Sequence, residues 1–230
     1  MFKALFKNDQ AMTVVVSIIL VYTSLNICGN LVLYFFRFDV GNEGAYSIFA
    51  AVAFAAQVLV MMVIPLLRKR FSKSQLFISG FIIQISGFAV ILIMAFAKLY
   101  TPQSWYILCL PGILIYLGYG MLNVIMTIFL SDSVDYGEVM NGTREESVIF
   151  SMQTFTVKLA SGVAVFLAGL VVDWIHLDTA AAVQTQDTLD ALRMWMTIPS
   201  VILLIVGIFV FKRFYKLDDA RMEEIKSKLN

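Results

Sequence analysis

DSVDYGEVMNGTREESVIFSMQTFTVKLAS, Asp132 to Ser161, joins a charged segment to an apolar one and sets a lysine inside the latter. With a helix expected to start near Ser147, Lys158 lies about eleven residues in, roughly 16 Å at a rise of ~1.5 Å per residue. That is close to the middle of a hydrocarbon layer ~30 Å thick, too deep for the ammonium to reach a headgroup. A lysine there costs on the order of 2.5–3.5 kcal/mol on insertion scales, so it is expected to face a wet cavity or to pair with an anion inside a bundle.

The rest of the chain supplies the bundle. Its 230 residues are 60% hydrophobic and 14% charged, with a mean hydropathy of +0.84, whereas soluble domains carry about 25% charged residues. The fold class is therefore all-α, a polytopic membrane protein. Six stretches reach the ~20 apolar residues a spanning helix needs, approximately 11–36, 45–67, 75–97, 105–130, 147–172 and 192–211, and they predict a single six-helix transmembrane bundle over 1–230. The first is too long for the apolar core of a signal peptide and is predicted to be a true span. Six crossings put both ends on one side. Of the 17 Lys and Arg residues, Lys3, Lys7, Arg68, Lys69, Arg70, Lys73, Arg144, Lys212, Arg213, Lys216, Arg221, Lys226 and Lys228 fall on that side, and only Arg37, Lys98 and Arg193 on the other. The bias predicts a cell-membrane protein with N and C termini in the cytoplasm.

Several function classes are excluded by pattern. No basic run interleaved with aromatics points to nucleic acid. Cys28 and Cys109 sit in apolar stretches, form no ligand spacing with His176, and are expected to pack as small buried residues. The acidic residues lack a calcium-loop pattern, so no metal site is expected. No nucleophile has a readable base partner, and no enzyme is predicted.

Polar residues within the spans fall on faces. Tyr22, Asn26, Asn30 and Tyr34 recur every fourth residue; Tyr116, Tyr119, Asn123 and Thr127 share a face of the fourth span; Ser151, Thr154, Lys158 and Ser161 form the stripe of the fifth, with Gln153 beside it. Gln57 and Gln84 are isolated amides, which ordinarily hydrogen-bond between helices for only ~0.6 kcal/mol. The aligned stripes exceed what packing requires and predict a water-filled pocket, whose rings and amides suit a polyhydroxylated solute. The sixth span, apolar from Val201 to Phe211, is expected to face lipid and support the others. Asp132, Asp135, Glu138, Arg144, Glu145 and Glu146 are read as a charged loop. Its acids are expected to pair with Arg68, Lys69, Arg70 or Lys73 as a cytoplasmic gate, the alternative being a solvated loop whose ion pairs contribute little.

The order Asp132-Ser-Val-Asp135-Tyr136-Gly137-Glu138, then Gly142-Thr-Arg144-Glu-Glu146, then Phe150-Ser151-Met-Gln153-Thr154-Phe155-Thr-Val-Lys158 resembles the glycoside-pentoside-hexuronide:cation symporters of the major facilitator superfamily. The resemblance implies the C-terminal half of a twelve-helix secondary transporter that works by alternating access between two six-helix bundles, with Met1 falling where the family's central cytoplasmic loop would be. It implies substrate-binding roles for Ser151, Gln153, Thr154, Val157 and Lys158, to which the stripes add Asn123, Tyr119, Tyr116, Asn26 and Asn30. It places Asp132, Asp135, Glu138 and Arg144 in the cytoplasmic gate. Asn123 stands where one member of the family has a sugar-binding tryptophan, so that member's specificity is not carried over. The family's cation-binding carboxylates belong to the N-terminal half. No cofactor is therefore expected in this half, and the Na+ or H+ coupling ion is expected in the other. Expected partners are the lipid bilayer, a small-molecule sugar, and the missing N-terminal six-helix half or a homodimer mate. The alternatives are a non-transporting membrane fragment or assembly partner, and a related transporter with a lipid-like substrate.

Overall fold

The structure, a computed structural model, describes residues 8–229. Each predicted crossing is a helix: α1 Asp9–Tyr34, α2 Ala45–Leu67, α3 Lys73–Phe96, α4 Cys109–Asn141, α5 Glu146–Trp174 and α6 Gln186–Phe214, followed by a short α7, Asp219–Leu229. These six long helices are apolar enough to cross a membrane. A helix is what hydrocarbon demands, because it satisfies every backbone N–H and C=O within its own segment.

Local chemistry sets the ends. Asn8 caps α1, its side-chain oxygen accepting from the Ala11 N–H. Ser72 and Gln75 form a reciprocal capping box at the start of α3. Thr185 caps α6, which therefore begins at Gln186, six residues earlier than its apolar run suggests, so that Arg193 lies about two turns into the helix. The far end of α1 continues as one π-helical turn, Phe35–Asp39. The charged segment after Leu130 is not the expected loop. α4 runs on as helix to Asn141, because Asp132, Ser133, Val134 and Gly137 find a buried face there, and it stops where Gly142 takes the left-handed conformation (φ 72°).

α1 and α4 form the centre. α1 packs against α4, α5 and α6, and α4 packs against α1, α2, α3 and α7, with α3 also on α6. α2 leans chiefly on α4, and α5 on α1. Aromatic clusters lock the bundle near both ends: Phe77, Phe129, Phe211 and Tyr215 interlock at centroid distances of 4.4–5.1 Å, and Phe36 meets Phe49 at 5.0 Å. α6 supports the other helices with one side and is exposed on the other. It buries Leu204, Gly207 and Phe211 while exposing Ile202, Ile205 and Phe209.

Asn8 bonds to α4 at Ser133, and Gln10 bonds to the α6–α7 turn through Phe214 and Lys216. Both described ends therefore share one face of the bundle, here the end face. The basic residues predicted to accompany them lie there too, apart from Lys3 and Lys7, which lie outside the described residues.

The tightest helix contact is α3 on α4. A Cβ on Gly118 would lie 2.5 Å from the Gln84 backbone N and 2.5 Å from the Gly80 carbonyl oxygen, whereas Gly162 on α5 has nothing within 4 Å. Gly118→Ala is expected to cost about 1–3 kcal/mol by forcing the two backbones apart. Gly162→Ala is expected to leave stability unchanged or slightly raised. Thermal unfolding in dodecyl maltoside, followed by labelling of the native thiols, measures both.

Candidate functional site

The polar stripes converge on one open groove, with α1 as its floor and α4 and α5 as its walls. Asn123 of α4 donates its amide to the Tyr22 hydroxyl at 2.5 Å, and the Tyr22 ring meets Tyr119 edge-on at 5.4 Å. Gln153 of α5 donates to Thr127 of α4 at 3.3 Å. Tyr34 shares a recess of about 460 Å³ with Val165, Gly169, Val172 and Asp173 of α5. Val165 and Val172 continue the Ser151, Thr154, Lys158, Ser161 stripe at heptad spacing, so that stripe borders the same groove.

Within this groove the side chains differ in how far they are committed. Asn26 and Asn30 fold back onto the Tyr22 and Asn26 carbonyls, each at 2.7 Å. Thr154 does the same to Phe150 at 3.3 Å. Each keeps an amide or hydroxyl oxygen available to a solute. Tyr119 is buried and Tyr116 half-buried against the core, and Val157 packs against that core as an apolar wall. Ser151, Thr154 and Lys158 are exposed. Lys158 lies twelve residues after the first residue of α5, Glu146, roughly 18 Å along the helix. No ion pair or hydrogen bond to its ammonium occurs among the described residues. The sequence predicts a water-filled pocket of which this half supplies one wall, and the structure presents an open face. The reason is that α5 leans on α1 and only grazes α4, so nothing among the described residues roofs the groove.

The four residues assigned to a gate separate into two sites. Asp132 is buried and accepts a hydrogen bond from the buried Lys73 ammonium, while Asp219 of α7 lies 3.5 Å from Lys73 and 3.5 Å from Arg68. Tyr215 sits against this cluster. Burial and the carboxylates of Asp132 and Asp219 hold its phenol well above the usual range. Asp135 and Glu138 instead meet Arg144, at 3.0 and 2.8 Å, with Glu146 completing the set at 3.1 Å on the exposed end face. Between these sites the signature residues are structural. Ser133 receives Asn8 at 2.7 Å, and Gly137 leaves Asn8 room, since a Cβ there would stand 2.7 Å from its amide nitrogen.

Sequence reasoning missed a third site, on the opposite face. Arg193 reaches Asp39 of the π-helical turn at 2.5 and 2.8 Å and Asp190 at 2.7 Å. Tyr100 donates to Asp39 at 2.6 Å. Burial, then the hydrogen bond to Asp39, raises the Tyr100 phenol far above its ordinary range. The partners lie 154 residues apart, and the only available signal was an acid at the end of an apolar span with an arginine on the same side.

Comparison with known proteins decides the family. Residues 1–219 match the family described as MFS/sugar transport protein. The chain belongs to that family. It is 25% identical over 228 residues to the "Uncharacterized symporter YjmB" of Bacillus subtilis (strain 168), covering 99% of this chain and 48% of that protein. It is 23% identical over 230 residues to the "Raffinose carrier protein" of Pediococcus pentosaceus, covering 99% and 35%. It is 25% identical over 218 residues to the "Isoprimeverose transporter" of Lactiplantibacillus pentosus, covering 94% and 43%. The chain thus spans half the length of these curated relatives or less. Membership in the family agrees with the resemblance carried by residues 132–158, and with a multi-pass membrane protein.

The Lys73–Asp132 pair gives a direct test of the end-face network. Asp132→Asn leaves a buried ammonium with Asp219 as its nearest carboxylate and is expected to cost about 3 kcal/mol. The double variant Lys73→Met/Asp132→Leu is expected to recover most of that loss, because two apolar side chains need no partner. Melting of the parent, Lys73→Met, Asp132→Leu and the double variant in detergent gives the coupling as a double-mutant cycle, with Asp132→Asn melted beside them.

Proposed function

We propose that this chain forms one six-helix half of a cation-coupled sugar symporter, its α1–α4–α5 groove being one wall of a substrate cavity that a second six-helix bundle closes. The observation that carries this reading is Lys158, mid-span, exposed on the groove, with no acceptor among the described residues. A lone ammonium at that depth costs several kcal/mol unless it borders water, substrate or an acid from another bundle. The sugar assignment rests on the groove's chemistry and on relatives named for raffinose and isoprimeverose. Tyr22, Asn26, Asn30, Asn123, Gln153 and Thr154 offer hydroxyls and amides, the half-buried Tyr116 offers a ring for an apolar sugar face, and the buried Tyr119 acts through its edge contact with Tyr22.

In alternating access the two bundles rock about the groove. Asp135, Glu138 and Arg144 would engage the second bundle on the end face, which we place in the cytoplasm from the basic bias. Asp132 and Lys73 would hold α3 and α4 rigid as the halves move. At the groove's far end lie Asp173, beside the last residue of α5, and Asp39, already committed to Arg193, and no carboxylate of the described residues lies at the depth of Lys158. The Na+ or H+ site is therefore assigned to the second bundle. Lys158 would then bind a sugar hydroxyl directly or meet a carboxylate there, linking ion occupancy to cavity shape.

The test is sugar uptake in cells that coexpress this chain with a matching six-helix bundle. Lys158→Ala removes a charged hydrogen bond worth about 1.5–3 kcal/mol and is expected to lower uptake roughly 10- to 100-fold while membrane insertion is unchanged. Unchanged coupled uptake would remove Lys158 from the mechanism. Uptake by the chain alone in liposomes would mean that two copies face each other across the groove.

A further inference from the structure

A second recess lies on the end face, away from the groove. It encloses about 520 Å³ between the α2–α3 turn, the start of α3, α4 and α7. Its inner wall is the ion network already described, in which Asp132 engages Lys73, and Asp219 engages Lys73 and Arg68. Around its mouth stand Lys69, Arg70 and Lys226, none of which has a carboxylate partner among the described residues. Glu223 is the remaining acid of the lining, so the recess carries an excess of positive charge. The capped start of α3, where the positive end of the helix dipole lies, also borders this space through Ser72 and Lys73.

The recess sits where two spanning helices end, at the level where lipid phosphates lie. Phe71 lines it and is 47% exposed, and Leu66 is 60% exposed one turn back along α2. Soluble anions would gain nothing from these side chains, whereas an acyl-bearing one would. We propose that this recess binds the phosphodiester headgroup of an anionic phospholipid, with Lys69, Arg70 and Lys226 as its ligands, and that the lipid ties α7 to the α2–α3 turn. Basic pockets between spanning helices hold headgroups in this manner. The proposal does not depend on transport and is tested without it.

The experiment is native mass spectrometry of the 230-residue chain released from dodecyl maltoside micelles doped with phosphatidylglycerol or with phosphatidylcholine. The parent chain is expected to retain phosphatidylglycerol in preference to phosphatidylcholine. The K69Q/R70Q/K226Q variant is expected to bind phosphatidylglycerol about fivefold more weakly for each charge removed. K212Q/R213Q/K216Q, which removes the same charge elsewhere on the end face, is expected to retain the lipid like the parent. K69Q/R70Q, which leaves α7 untouched, serves if the triple variant does not fold, and is expected to show two-thirds of the charge effect on a logarithmic scale. Equal loss in the two triple variants, or equal retention of the two lipids by the parent, would overturn the site. Excess inorganic phosphate is expected to leave the lipid bound. Displacement by it, with matching stabilisation of the fold, would put a soluble phosphate in the recess and overturn the lipid assignment.

Discussion

The ion pair between Lys73 and Asp132 is the constraint on which the end face depends. It joins the first residue of α3 to α4 at the position where α4 leaves the apolar layer and becomes polar. Two charges buried there are a poor source of stability, because desolvation offsets most of their attraction. Their value is specificity. They accept one register of α3 on α4, the register in which Gly118 lies against Gly80 and Gln84. Asp219 adds α7 to the same cluster, and Met222 and Ile225 then pack with Leu217 against Tyr136 and Val139. One polar contact thereby links three helices, and α4 continues beyond its apolar run to carry Asp135 and Glu138.

Much of this was legible in the sequence, and the remainder shows what a linear reading lacks. Span number and the second span's bounds, Ala45–Leu67, follow from apolar length alone. The sidedness of the charges follows from counting. The extension of α4 to Asn141 was hidden because a run of acids after an apolar stretch looks like solvent-exposed loop. Its amphipathic face becomes visible only when Lys73, Asn8 and α7 are brought to it. Capping by Thr185 moved the start of α6 outward and turned Arg193 from a flanking cation into a buried one. Its acceptor, Asp39, lies on a π-helical turn that no propensity argument would place there.

The unequal burial of the helices fits a unit built to meet another surface. α1 is covered on three sides, whereas α2 exposes Phe54, Leu59 and Met62, and α5 exposes Phe155, Leu159 and Phe166. Lipid alone would accept these apolar faces. It would not accept the flank of α5 that bears Ser151, Thr154 and Lys158, since each hydroxyl or ammonium set against acyl chains has a cost and no return. The exposed apolar and polar sides of α5 therefore call for two different neighbours, and only the polar one needs to be wet.

Gln84 shows why position, and not polarity alone, separates function from packing. It is fully buried and both of its amide atoms lack a hydrogen-bond partner among the described residues. Yet it lies in the α3–α4 seam, where no solute can reach, and its backbone is what Gly118 packs against. Lys158 has the opposite combination: an unsatisfied charge at mid-depth on an open face. The other cations drawn into the bundle, Lys73 and Arg193, are each paired with a carboxylate distant in sequence, Asp132 and Asp39. The proposed role of Lys158 rests on that contrast: two buried cations are neutralised, and a third is left unpaired among the described residues beside a stripe of hydroxyls and amides.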